Sequence, residues 1–205
     1  MSKPVFHYWA KVASRGHYLF YTLAFHDRLD DIEHKGDQPY PGAEGWDAVL
    51  RSKVGSLPTL VDGDVAIGQS RAIFTYLCRK YGIGKDLSLA EFAASEELVE
   101  TAVDVHSMLD QAQYAPDRTA AMDALFADGG GVPKVLAAFE DHVGGTVTAG
   151  HCCFAAALNL LTRLQADCLD KHPKIKAFND TVQGNAGIKT VNERCPYPYF
   201  KRNSD

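Results

Sequence analysis

Residues 56–82, which read SLPTLVDGDVAIGQSRAIFTYLCRKYG, decide the fold of the first part of the chain. Two short apolar runs flank an Asp62-Gly63 step, and this arrangement is typical of a β-hairpin turn. Ser70 follows the hairpin and is placed to cap a helix. The apolar residues behind it recur at helical spacing: Ile73, Leu77 and Tyr81. The stretch therefore predicts a hairpin that leads directly into a helix N-terminus.

The same stretch predicts a binding site for a small acidic peptide. The free N–H groups and the positive dipole end of the helix behind Ser70 favour a carboxylate. Leu57-Pro58, just before the first hairpin strand, is a candidate cis peptide. A cis bond there would turn the Leu57 backbone outward as an edge that can pair with an extended peptide.

The order of the remaining elements predicts two domains of different class. In residues 1–82 the patterns predict strands at 3–10 and 30–34, helices at 17–29 and 46–53, and then the hairpin and its helix. This is an α/β layer with a small mixed sheet. Residues 83–89 form a polar linker, and residues 90–205 show helical patterns only, at 91–114, 119–127, 132–143, 154–169, 174–182 and 187–194. The tail from Cys195 onward is predicted to be irregular.

Composition excludes several classes of function. The chain has 205 residues and a net charge of −5, so nucleic acid and anionic membranes are poor partners. No apolar run reaches the roughly 18 residues that a membrane span needs, and the N-terminus lacks the apolar region of a signal peptide. The five cysteines form no CxxC motif, which favours reduced thiols in the cytoplasm over a metal or redox site. They are Cys78, Cys152, Cys153, Cys168 and Cys195.

The chain resembles the cytosolic glutathione transferases, nearest the sigma-like classes that use a tyrosine. Ser56-Leu57-Pro58, Gln69 to Ile73 and the segment 76–81 carry the resemblance, at the spacing the family shows. It implies a thioredoxin-like N-terminal domain, an all-α C-terminal domain and a homodimer. It also implies a detoxifying transferase that joins the thiolate of glutathione, its co-substrate, to small apolar electrophiles without a further cofactor or metal. Some relatives of this type isomerise prostaglandin endoperoxides.

The resemblance also implies where glutathione binds. Gln69 and Ser70 would hold its γ-glutamyl end, and the backbone of Leu57, before Pro58, would pair with its cysteinyl unit. The other implied ligands are Trp46 and either Arg51 or Lys53 at the glycyl carboxylate, and Asp104, which reaches the γ-glutamyl amine across the dimer interface in related proteins. His106 is interpreted as a packed or solvated histidine.

Two residues compete for the role of thiolate stabiliser. Tyr8, late in the first strand, matches the Tyr-aromatic pair with which the family stabilises the thiolate, because a hydrogen bond to the charged form lowers a pKa. Ser14, just before the first helix, is the alternative, since other classes use a Ser or Cys there. Arg15-Gly16 comes later than in Tyr-type members, behind an extra stretch at residues 11–14. We favour Tyr8.

Other predictions concern the helical domain and the kind of protein. The electrophile pocket is placed between the domains, lined by Val12, Met108 and the aromatic tail with Tyr197, Tyr199 and Phe200. The family capping box of a buried helix matches residues 153–156, where both polar members are missing. Two alternatives to an enzyme of this kind are a binding or structural relative without catalysis and, more weakly, a thiol oxidoreductase.

Overall fold

The computed structural model describes residues 2–37, 44–46 and 55–202. The N-terminal domain is built on a four-stranded sheet of order β3-β1-β4-β5, in which β1 is parallel to β3 and antiparallel to β4. Its strands are β1 (Val5–His7), β3 (Glu33–Lys35), β4 (Thr59–Asp62) and β5 (Val65–Gly68), and its helices are α1 (Gly16–Phe25) and α2 (Ser70–Tyr81). A short 3₁₀ turn, Leu29–Asp31, precedes β3.

The hairpin and the helix predicted from residues 56–82 are confirmed. Strands β4 and β5 pair antiparallel, with Asp62 opposite Val65, and Gly63 in the turn has a φ of +59°. A glycine adopts this left-handed conformation without the steric cost that a side chain would add. The helix ends at Tyr81 with Gly82 in the left-handed conformation, a common helix C-terminus. The local signals here therefore agree with the fold.

The C-terminal domain is helical, as predicted. Its helices are α3 (Leu89–Gln113), α4 (Arg118–Phe126), α5 (Gly131–Phe139), α6 (Ala149–Leu164), α7 (Pro173–Gln183) and α8 (Ala186–Arg194). Helix α6 is central, because all residues from Ala149 to Leu158 are buried and both α1 and α3 pack against it. The Tyr18 hydroxyl of α1 donates to the Ala102 carbonyl of α3 at 2.8 Å, which joins the two domains.

Helix α6 begins five residues earlier than predicted, and its capping box is present rather than missing. The Thr148 side chain accepts from the His151 backbone N–H, and His151 Nδ1 accepts from the Thr148 backbone N–H at 3.2 Å. The box was placed at residues 153–156, which lie inside the helix. A histidine in the fourth position hid the motif, because capping boxes ordinarily carry Glu or Gln there, or Asp in the family pattern.

The tail is not irregular, contrary to the prediction. Residues Tyr197–Pro198 form a strand, β6, that pairs parallel with β2 (Val12–Ala13) in a two-stranded sheet between the domains. The Tyr197 and Tyr199 backbone N–H groups donate to the Lys11 and Ala13 carbonyls, both at 3.1 Å. The extra stretch at residues 11–14 is thus held in place by the tail. The pairing joins distant parts of the chain, so no local pattern reveals it.

Two further points bear on the predicted elements. The first strand, predicted over residues 3–10, ends at His7, and Lys11 has a φ of +62° in the turn that leads to β2. Most of the helix predicted at 46–53 lies outside the described residues, and so do Arg51 and Lys53. None of the helices in the described ranges is long and apolar enough to cross a bilayer.

Candidate functional site

Tyr8 lies immediately after β1, with its side chain against the start of α1. The residue is 6% exposed, and its hydroxyl is hydrogen-bonded with the Ser14 side chain and the Arg15 backbone. A Cβ added to Gly16 would lie 2.7 Å from Tyr8 Cδ1, so only a glycine leaves room for the ring. The Tyr8 carbonyl is held by His34 Nε2 at 3.2 Å. The backbone and the ring of Tyr8 are therefore both fixed by neighbours.

Burial raises the pKa of Tyr8, because desolvation penalises the charged phenolate. The hydrogen bond with Ser14 and the charge of Arg15 act in the opposite direction and lower this pKa in part. The phenol is consequently neutral near pH 7. A neutral phenol whose oxygen already interacts with Ser14 and Arg15 retains a proton to donate to an anion at the site.

Ser14 is in the same cluster as Tyr8, so the two competing residues are neighbours. Ser14 is buried, and its Oγ lies 3.5 Å from His106 Nε2. Asp110 accepts from Arg15 Nη2 at 2.6 Å, and its Oδ2 also lies 3.7 Å from His106 Nε2. Sequence reasoning gave no role to Asp110. The signal available was the i, i+4 spacing of His106 and Asp110, which places both on one face of α3.

His106 is packed, as interpreted from the sequence, and it faces the cluster. The ring is 1% exposed and makes edge contacts with Phe200 at 4.9 Å and Tyr18 at 5.9 Å between centroids. Burial and the nearby Arg15 charge lower its pKa to about 3. His106 is therefore neutral at any pH at which the protein would act.

The start of α2 presents hydrogen-bond donors next to a strained backbone position. Ser70 is the first helical residue and not the N-cap, which corrects the sequence prediction. The N-cap is Gln69, which has a φ of 71° and a ψ of 119° and whose side chain makes no capping hydrogen bond. A non-glycine residue held in this region costs about 1–3 kcal/mol, and such residues cluster at ligand-binding sites. The Ser70 hydroxyl and the first helical N–H groups form a set of donors of the kind that favours a carboxylate.

The Leu57-Pro58 peptide is cis, as the sequence predicted. Leu57 lies ahead of β4, beyond the register of the ladder, and is half-buried. Trp46 stacks on Trp9 with 6.3 Å between ring centroids, which ties the described residues around 44–46 to the end of β1.

Asp104 is exposed on α3, one turn beyond Glu100. The carboxylates of Glu100 and Glu96 both pair with Arg71, the residue after Ser70. This arrangement sets the middle of α3 beside the start of α2. The role of Asp104 at a neighbouring subunit stays a prediction.

Of the residues predicted for the electrophile pocket, Tyr199 is close enough to Tyr8 for the two phenols to interact electrostatically. Val12 belongs to β2 and Tyr199 follows β6, and the Tyr199 hydroxyl pairs with that of Tyr114 at the end of α3. Burial and this hydrogen bond raise the pKa of Tyr199. The Met108 sulfur lies against Gly131 at the start of α5, and its part in the pocket stays a prediction.

Three curated proteins illustrate the sequence similarity. The class-mu 26 kDa glutathione S-transferase of Schistosoma japonicum is 28% identical over 62% of this chain and 60% of its own length. Glutathione S-transferase 1 of Triticum aestivum is 28% identical over 68% of this chain and 72% of its own length. Glutathione S-transferase 2 of Onchocerca volvulus is 25% identical over 68% of this chain and 71% of its own length. The match thus spans less than two thirds of the first of these proteins. No family model matches the chain.

Solved structures show the same fold over almost the whole chain. A pi-class glutathione S-transferase of Onchocerca volvulus superposes with a TM-score of 0.79 at 21% identity, covering 99% of this chain and 98% of that one. The chain has the fold of the glutathione transferases and is similar in sequence to named members of that family. A prostaglandin synthase D of Nilaparvata lugens superposes with a TM-score of 0.74 at 23% identity, covering 96% of this chain and 100% of that one. The glutathione transferase fold, thioredoxin-like and then all-α, is therefore confirmed, and the nearest class stays a prediction.

Proposed function

We propose that the protein is a glutathione transferase, which joins the sulfur of glutathione to small, largely apolar electrophiles. The observation that carries this proposal is the Tyr8 hydroxyl, which is buried, protonated and fixed beside the start of α1. The similarity to named glutathione S-transferases supports the same activity. No other cofactor takes part in the proposed reaction.

Glutathione would lie between β4 and the start of α2. In this proposal the Leu57 backbone pairs with the cysteinyl unit, while Gln69 and Ser70 hold the γ-glutamyl end. The strained conformation of Gln69 supports the assignment, since such strain clusters at ligand-binding sites. Trp46 and one basic residue, Arg51 or Lys53, would take the glycyl carboxylate.

Catalysis would follow from a hydrogen bond between the Tyr8 hydroxyl and the bound sulfur. This bond stabilises the thiolate over the thiol and lowers the thiol pKa, so more thiolate is present near pH 7. The thiol proton leaves to solvent. The thiolate electron pair then forms a carbon–sulfur bond. In a substitution the leaving group departs with its bonding electrons, and in an addition the π electrons of an activated double bond move to the activating group, which takes a proton from solvent. Positioning in a dry pocket supplies further acceleration.

Val12 and the hydroxyl pair of Tyr114 and Tyr199 would form part of the electrophile pocket. Isomerisation of a prostaglandin endoperoxide is a second candidate reaction, and the likeness to a prostaglandin synthase D favours it through the fold alone. We place the protein in the cytoplasm and assign it a detoxifying role, on the resemblance.

We also propose a homodimer that uses the face formed by α2 and α3. The start of α3 exposes Leu89 and Phe92, which are 83% and 49% exposed. Phe92 borders an open groove of about 510 Å³ between the two helices. A two-fold dimer over this face would bury these side chains and would bring Asp104 toward the partner subunit.

The proposed function is tested by the pKa of glutathione bound to the protein. Ultraviolet difference spectroscopy detects the thiolate, and we expect a thiol pKa at least one unit below that of free glutathione. Tyr8→Phe keeps the ring and removes the hydroxyl, so it should raise this pKa and slow conjugation of a model aryl halide near pH 7. Affinity measured by calorimetry should change little.

Two results would contradict the proposal. If glutathione binds with an unchanged thiol pKa, the protein is a binding relative without catalysis. If Tyr8→Phe retains the low thiol pKa, Tyr8 is not the residue that stabilises the thiolate.

A further inference from the structure

We propose that His106 and Ser14 are positioning residues that direct the Tyr8 proton toward the bound sulfur through a chain of hydrogen bonds. In this chain His106 Nε2–H donates to Ser14 Oγ, Ser14 Oγ–H donates to Tyr8 Oη, and Tyr8 Oη–H donates to the thiolate. No proton is transferred between the three residues of this hydrogen-bond chain. The proposal rests on the proposed function, and its first test below does not require glutathione.

The contacts between the three residues support this order. Ser14 lies between the other two, with its hydroxyl hydrogen-bonded with Tyr8 and 3.5 Å from His106 Nε2. Ser14 and His106 are 3% and 1% exposed, so bulk water does not compete with them. A hydroxyl has one proton and two lone pairs, so Ser14 can accept from His106 and donate to Tyr8 at the same time.

The surroundings of His106 decide which ring nitrogen carries the proton. The imidazole is neutral, because burial and Arg15 lower its pKa to about 3. The Asp110 carboxylate lies 3.7 Å from Nε2 and favours a proton on that atom. Nδ1 is buried and has no hydrogen-bond partner within the described ranges. An unpaired lone pair at Nδ1 is tolerated better than an unpaired N–H, so both observations favour the Nε2–H tautomer.

The direction of the chain has a consequence for Tyr8. The Arg15 backbone N–H and Ser14 both donate to the phenol oxygen, so its own proton points away from them and toward the ligand. Hydrogen bonds in series polarise one another, which strengthens the last donor. This hydrogen-bond chain also links the tail to the site, since Phe200, two residues after β6, packs on the His106 ring and holds its orientation.

The first test measures Tyr8 itself in the protein without glutathione. With tyrosines carrying ¹³C at Cζ, nuclear magnetic resonance follows each phenol through its titration, and Tyr8→Phe identifies the Tyr8 signal by its loss. Removing a donor to the phenol oxygen raises its pKa. We expect Ser14→Ala to raise the Tyr8 pKa by about 0.5–1 unit and His106→Leu by a smaller amount in the same direction.

His106→Gln separates the hydrogen bond from packing. The glutamine Nε2 amide reaches the position of the histidine Nε2 and restores the N–H donor, so this variant should titrate like the unaltered protein. If His106→Leu leaves the Tyr8 pKa unchanged, or if His106→Gln raises it as much as His106→Leu does, the chain does not exist as proposed.

The second test uses bound glutathione. Ser14→Ala and His106→Leu should each raise the thiol pKa and reduce kcat/KM about 3- to 10-fold at pH 6.5, with recovery at high pH and an unchanged dissociation constant. His106→Gln should restore both quantities. If the unaltered protein lowers the thiol pKa and only Tyr8→Phe raises it, the transferase function stands and the proposed chain is wrong. If the unaltered protein does not lower the thiol pKa, the proposed function fails, whereas the first test still decides the chain.

Discussion

The ring of Tyr8 lies directly against Gly16, and a Cβ at Gly16 would come 2.7 Å from Tyr8 Cδ1 and 3.2 Å from Cε1. Real Cβ atoms essentially never come within 3.0 Å of such an atom, so the ring would have to shift. The glycine of the Arg15-Gly16 pair is therefore a spacer that sets the distance between the phenol and the start of α1. This relationship leads to the first prediction.

Gly16→Ala should displace the Tyr8 ring and weaken its hydrogen bond to the Arg15 backbone. We expect the thiol pKa of bound glutathione to rise and the conjugation rate at pH 6.5 to fall at least 3-fold. The free energy of unfolding should fall by about 1–3 kcal/mol, as for other substitutions that overfill a packed site. Gly144→Ala is the matched control, because nothing lies within 4 Å of a Cβ there. Equal rates for both variants would contradict this account of Gly16.

Ser70→Ala should weaken glutathione binding by about 1–3 kcal/mol, since it removes a donor from a bound carboxylate. Isothermal titration calorimetry measures this directly. Thr181→Ala is a suitable control, because this exposed hydroxyl donates to its own helix at Ala177. An unchanged affinity for Ser70→Ala would move the γ-glutamyl site away from the start of α2.

The capping box of α6 predicts a pH dependence of stability. His151 Nδ1 accepts from Thr148, so it must be unprotonated, and burial lowers its pKa below 6.5. Between the lowered pKa of His151 in the folded protein and its ordinary value of about 6.5 in the unfolded chain, the unfolded chain binds more protons than the folded one. Stability is therefore full above about pH 6.5 and is lost as the pH falls, by at most about 1.4 kcal/mol per pH unit for one such group.

His151→Asp should reduce this loss, because a carboxylate at the same position stays charged to a lower pH and suits a helix N-terminus. Urea unfolding at pH 7.0, 6.0 and 5.0 measures the free energy in each case. His17 and His106, both with a pKa lowered to about 3, also make the free energy of unfolding fall as the pH falls. We therefore expect a shallower slope and not a flat one. The exposed His142→Gln is the control, and a slope in His151→Asp as steep as in that control would remove His151 from the explanation.

The proposed dimer predicts a clear effect of charge at Phe92. Sedimentation at micromolar concentration should show a dimer for the unaltered protein and a monomer for Phe92→Glu, because an ion cannot be buried unpaired in an apolar interface at low cost. Circular dichroism should show the same helix content in both. Lys189→Glu, on the exposed side of α8, should remain dimeric. A monomeric unaltered protein would leave Asp104 with a surface role only.

Elements with strong local signals were predictable from the sequence. Asp62-Gly63 between apolar runs specified the hairpin, and the helical spacing behind Ser70 specified α2, apart from a shift of one residue at its start. The roles that the family resemblance implies for Tyr8 and the start of α2 stay predictions. These features depend on short-range chemistry, in which turn residues and periodicity agree with the final fold.

Features that depend on contacts between distant residues were not predictable in the same way. The β2–β6 pairing and the approach of His106 to Ser14 have no local signature. The α6 capping box was missed for a different reason, because His151 is an unusual acceptor in that motif. The i, i+4 pair of His106 and Asp110 was visible in the sequence, but only the packing of α3 against Ser14 gives it meaning.

The pairing of β2 with β6 has a consequence for the order in which the protein becomes active. Contacts between segments far apart in sequence close late in folding, since the entropy of a long loop must be lost first. The four-stranded sheet and the proposed glutathione-binding edge lie within residues 5–70, whereas β2, just before Ser14, pairs only with residues 197–198 in the described part of the chain. We expect a chain that lacks residues 197–200 to bind glutathione as the full chain does but with a higher thiol pKa, because β2 loses its partner strand and the His106 ring loses its contact with Phe200.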